Sequence, residues 1–159
     1  MISEPEWYMK LPDHLKPKND DAIRNIENFR KENYLTDELM FIAICTTKWA
    51  VRRIQQYTLE KFRKEFPDLS EKELWKSVIM SRLQTKLNFD FIEETDPFVK
   101  PLSKQQIFSI IENLDKIISN FRSFEDVVEY IVSIDEMENR FYDITGMQAK
   151  LSKLLENSV

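Results

Sequence analysis

A chain of 159 residues, 42% of them hydrophobic, is long enough to bury a core without covalent staples, and a single cysteine rules out an internal disulfide framework. One glycine in the whole sequence, Gly146, argues against hairpin-rich β folds and Gly-rich phosphate loops, since both depend on glycine's access to positive φ. The formal net charge of −5 disfavours general nucleic-acid binding, yet residues 46–86 carry ten basic groups against five acidic ones.

Residues 1–19 are expected to form an irregular arm. Pro5, Pro12 and Pro17 punctuate it, while Trp7, Tyr8, Met9, Leu11 and Leu15 make it too apolar for a free tail. It should lie across the protein's own helices or contact a partner through Trp7 and Tyr8. The N-terminus lacks the basic and apolar regions of a signal peptide, and no apolar run approaches the roughly twenty residues of a membrane span. A soluble, cytoplasmic protein is the expectation.

A first helix is predicted from Asn19 or Asp20 to about Asn33-Tyr34, lined by Ala22, Ile23, Ile26 and Phe29. A recurrent start signal then follows: an apolar residue, a Ser or Thr cap, and a second apolar residue four positions beyond the cap. Leu35-Thr36 with Met40, Leu69-Ser70 with Leu74 and Leu102-Ser103 with Ile107 fit it, and Ile144-Thr145 with Ala149 is a weaker copy. Glu73, Gln106 and Gln148 stand where a capping-box partner belongs.

The second helix is predicted to run unbroken over residues 36–66, ending against Pro67. Residues 36–45 are apolar on all sides and should form a buried spine, with Cys45 as a small hydrophobe. Residues 48–64 are amphipathic. Lys48, Arg52, Gln56 and Arg63 cluster on one face at 3.6 residues per turn, with Arg53 and Lys64 at its edge and Trp49 among them. Ala50, Ile54, Tyr57 and Phe62 take the far side.

Leu74, Trp75, Val78, Ile79, Leu83 and Leu87 define a third helix to about Asn88, with Lys72, Lys76, Arg82 and Lys86 on its solvated face. Residues 89–102 form a connector punctuated by Pro97 and Pro101. Ile107, Ile110, Ile111, Leu114, Ile117 and Ile118 line a fourth helix after Ser103. A fifth starts at Ser123 and runs to about Arg140. The sixth uses Met147, Leu151, Leu154 and Leu155. The expected architecture is all-α: a single compact bundle of about six helices over residues 1–159, with a proline-punctuated arm and a long central second helix. Three helices fall in 20–88 and three in 103–159.

Catalytic chemistry has little to draw on. His14 is the only histidine, so Ser-His-Asp and Cys-His arrangements, His/Cys zinc sites and Glu-x-x-His dimetal sites lack their residues. No phosphate-loop or dinucleotide motif is present. Neither a metal nor a cofactor is expected. Carboxylates remain, densest at Glu125, Asp126, Glu129, Asp135, Glu136 and Glu138, and these are expected to form a solvated face.

Two surfaces remain as candidates. Either the arm or another helix covers Trp49, with Arg53 stacked over its ring, or the ring among guanidiniums serves a protein interface, where Trp and Arg are enriched, with Trp49, Lys48, Arg52, Arg53, Gln56, Arg63 and Lys64 as the principal site. The arm is the second. The expectation is a non-enzymatic interaction protein, a subunit or adaptor that binds a protein partner or itself. Nucleic-acid backbone binding along the same basic face is the alternative.

Overall fold

The computed structural model describes residues 4–88, 99–139 and 146–157. Among them are nine α-helices and no strand: α1 Glu6–Lys10, α2 Asp20–Glu32, α3 Asp37–Cys45, α4 Lys48–Glu65, α5 Glu71–Asn88, α6 Lys104–Glu112, α7 Leu114–Ile118, α8 Phe124–Met137 and α9 Met147–Glu156. They divide into two compact units. Residues 1–54 with 141–159 make one, and residues 55–140 make the other, so the polypeptide passes between them within α4.

The caps follow the sequence signals. Asn19 accepts the Ala22 N–H at 2.7 Å and Thr36 accepts that of Leu39 at 3.2 Å. Ser70 with Glu73 and Ser103 with Gln106 form reciprocated capping boxes. Each cap satisfies orphan donors and contributes about 1 kcal/mol. Asp126 does the same for α8, accepting from the backbone of Arg122 and Ser123. The Ile144-Thr145 start lies outside the described residues; Gln148 instead donates to Thr46 Oγ1 at 3.0 Å.

The helix expected over residues 36–66 is broken at Thr46-Thr47. The Thr46 hydroxyl donates to the carbonyls of Ile42 and Ala43, and the Thr47 hydroxyl donates to that of Ile44 while accepting the Ala50 N–H. Adjacent hydroxyls thus end α3 and start α4 by competing for backbone groups. A similar break divides the expected fourth helix at Asn113, whose side-chain amide donates to the Ser109 carbonyl at 2.8 Å.

In the first unit α3 is the spine. Met40, Ile42, Ala43 and Ile44 are all buried, and α3 packs on α1 and α9 while α9 also packs on α2. The arm expected to be irregular carries two short helical pieces among its described residues: α1 and a 3₁₀ turn at Asp13–Leu15, which follow Pro5 and Pro12. Proline suits a helix start because its missing N–H would be unpaired there anyway. Trp7 is 0% exposed, its ring N–H bonded to Glu27 at 2.8 Å and its backbone N–H to Asp37 at 3.2 Å.

In the second unit α5 is central, packing against α6, α7 and α8. Its buried Leu74, Trp75, Val78, Ile79 and Leu83, with the buried Ile107, Leu114, Val127, Val128 and Ile131 of the helices packed on it, make the unit's apolar interior. Lys72 and Lys76 reach towards α7: Lys72 Nζ donates to the Ser119 carbonyl at 3.3 Å, and Lys76 pairs with Asp115 at 2.9 Å.

Candidate functional site

The first turns of α4 carry Trp49 and Arg53 one turn apart. Trp49 is half-buried against the first unit's core, and the Arg53 guanidinium lies over its ring, 4.8 Å from the centroid. Arg53 Nε also donates to the His14 carbonyl at 2.9 Å, which ties the arm down over this pair. His14 is held below its ordinary pKa, first by burial and then by the Arg53 charge, with Asp13 opposing. Trp49 and Arg53 are therefore engaged within the protein, as a cation–π pair clamped by the arm.

Trp7 is a core residue, so its assignment to a partner surface is corrected: a ring with no exposure cannot be an interface anchor. Tyr8 is half-buried, edge-on to Trp7 at 6.1 Å, with Lys16 Nζ 5.2 Å above its ring.

Along the rest of α4 the predicted residues are exposed: Lys48, Arg52, Gln56, Arg63 and Lys64. Gln56 and Arg63 are tied to carboxylates. Gln56 donates to Glu60 at 3.2 Å, and Arg63 pairs with Glu71 at 2.6 Å. Tyr57, assigned from sequence to the apolar side, is 53% exposed. It heads a stripe with Lys61 and Lys64, both exposed, at the i, i+4, i+7 spacing of one helix face. The signal was the sequence Tyr57-x₃-Lys61-x₂-Lys64, masked because tyrosine counts as apolar in a periodicity reading.

A charge cluster inside the second unit has no counterpart among the sequence expectations. Lys86 Nζ donates to Asp135 at 2.9 Å and also to Glu138, and Arg82 reaches the same Asp135 oxygen at 3.1 Å. The side chains of Lys86, Asp135 and Glu138 are at most 1% exposed. Glu138 further accepts the Leu102 N–H at 3.0 Å, and its carbonyl accepts that of Lys100. The expectation of a solvated face at Lys86, Asp135 and Glu138 is thus overturned; Glu125, Glu129 and Glu136 are exposed as expected. The wheel carried the signal: Lys86 sits at i+7 from Ile79, and Asp135 and Glu138 at i+4 and i+7 from Ile131. With its ammonium shared between two carboxylates, the cluster is a tie joining α5, α8 and the backbone at Lys100–Leu102.

Burial pushes the Cys45 thiol pKa up to about 12, which leaves little of the thiolate, the nucleophilic form, at neutral pH. Among the described residues no three His, Cys, Asp or Glu side chains are placed to hold a metal ion, and no helix is long and apolar enough to cross a membrane. Comparison with protein-family models, curated proteins and solved structures finds no match.

Proposed function

We propose that the protein is a non-enzymatic helical interaction protein, a subunit or adaptor that docks an acidic surface of a protein partner on the outward face of α4. The observation that carries this reading is the exposed Tyr57–Lys61–Lys64 stripe. It combines an amphipathic aromatic ring, which supplies contact area at small entropic cost, with two ammonium groups that select a carboxylate-bearing partner. A protein suits this face better than a nucleic-acid backbone. Glu60 and Glu71 sit among its basic groups, and Arg53 is spent on Trp49 and His14, so an unbroken run of phosphates would meet carboxylates.

The test compares the unaltered protein with a Tyr57→Ala, Lys61→Glu, Lys64→Glu variant, both affinity-purified from native cells. The expected result is a stoichiometric partner retained by the first and lost by the second, with unchanged thermal melting. Retention of the same partner by the variant overturns the reading. So does tight, salt-sensitive binding of single- or double-stranded nucleic acid that the triple variant abolishes.

A further inference from the structure

Within the first unit, α2 and α9 border an open groove of about 500 Å³ whose two walls share one spacing. Asn25, Asn28, Phe29 and Glu32 line it from α2, and Lys150, Lys153 and Leu154 from α9 with its C-cap Asn157; both sets run i, i+3, i+4, i+7. Each wall therefore covers two helical turns, about 10 Å. Phe29 and Leu154 form the floor, being the buried and half-buried members packed on the core. The rims are polar: three carboxamides, two ammonium groups and one carboxylate. Among the described residues, the side chains of Asn25, Asn28, Lys150 and Lys153 make no hydrogen bond or ion pair within the protein. Asparagine is a poor helix former, so its occurrence at these rim positions is not explained by helix stability.

We infer that this groove is a docking site for an extended acidic peptide segment of a partner protein. A carboxamide presents one donor pair and one acceptor, the complement of a peptide group's own carbonyl and N–H. An extended segment leaves those groups open, whereas a helix consumes its own, so amide rims select an extended occupant. About 10 Å accommodates three residues at ~3.3 Å each. The Phe29–Leu154 floor takes one apolar side chain, and Lys150 and Lys153, outnumbering Glu32, take an acidic neighbour. This site is separate from the α4 stripe and does not depend on it.

The experiment uses the full-length protein against a displayed library of random octapeptides, followed by titration of one selected peptide into ¹⁵N-labelled protein. The expected outcome is enrichment of sequences pairing Asp or Glu with an adjacent apolar residue. Side-chain amide signals of Asn25, Asn28 and Asn157 shift, and affinity falls at least tenfold in Asn28→Ala and in Lys153→Glu. Methylating the backbone nitrogens of the peptide's central residues should abolish binding. Enrichment of basic or helix-forming peptides, no enrichment, shifts confined to other residues, or undiminished binding of the methylated peptide overturns the inference. A second copy of the protein as occupant, seen as a dimer in sedimentation that Lys153→Glu dissolves, overturns it too. Loss of the α4-stripe partner leaves all these readouts unaffected.

Discussion

Lys86 and Asp135 meet at 2.9 Å with neither side chain more than 1% exposed, and Glu138 closes on the same ammonium. Lone charges so placed would forfeit their hydration; here each cation faces a carboxylate and the desolvation is offset by pairing. Lys86→Met leaves two buried carboxylates with the partly exposed Arg82 as a remaining counter-charge, and should cost about 3–5 kcal/mol in urea denaturation. Adding Asp135→Asn and Glu138→Gln should recover part of that loss, because burying carboxylates that have lost the Lys86 ammonium dominates it. An unchanged denaturation midpoint for Lys86→Met would refute the tie.

The Arg53 clamp predicts a pH effect of defined sign. The folded state holds His14 below its ordinary pKa, mainly by burial and secondarily through Arg53. The unfolded state therefore binds the proton more readily, so the stability His14 contributes is present above its ordinary value of 6.5 and lost as pH falls through the lower folded value. Acidification should destabilise the unaltered protein more than His14→Gln, read as the change in melting temperature. Arg53→Ala should raise the His14 pKa in an NMR titration without restoring it fully, since burial remains, and should cost about 1–2 kcal/mol from the lost ring contact and hydrogen bond.

Helix starts were legible in the sequence because capping is local: Thr36, Ser70 and Ser103 act within three residues of themselves. The all-α class followed from composition, and the spine from the apolar run Leu39–Cys45. The breaks at Thr46-Thr47 and Asn113 were not legible, since periodicity runs straight through them and only the hydroxyl and amide bonding interrupts the backbone ladder. The division into two units was hidden for the same reason, as α4 continues across it. The helical spacing puts Lys86, Asp135 and Glu138 on core-facing positions, but their pairing joins residues 49 and 52 positions apart, and local spacing does not say which charges meet. Of the candidate site, the basic side of α4 was visible, whereas the fates of Trp7 and Trp49 depended on where the arm packs.

Tyr34 stands in the left-handed region at φ 56° and ends α2 in a Schellman arrangement: its N–H bonds the Lys31 carbonyl, and that of Leu35 bonds the Arg30 carbonyl. The side chain is 93% exposed, so no packing compensates the strain. Tyr34→Gly should gain about 0.5–1 kcal/mol, the relief of the left-handed penalty less the added freedom of the unfolded state. Tyr34→Val, β-branched, should lose stability. Paired thermal melts check both directions, and a loss with glycine would show that Tyr34 makes a compensating interaction.

Cys45 gives a probe of the first unit's integrity. Its thiol pKa, pushed up to about 12 by burial at the end of α3, leaves almost no thiolate at pH 8, and the thiolate is the reactive species. Reaction with an aromatic disulfide reagent at that pH should therefore be orders of magnitude slower in the native protein than in denaturant. Loosening the arm should accelerate it. Trp7→Ala removes a fully buried ring and its bonds to Glu27 and Asp37, a loss of about 3–5 kcal/mol. That substitution should raise the labelling rate far more than Tyr57→Ala on the exposed face of α4. Equal rates for the two variants would mean that the arm does not secure the core around α3.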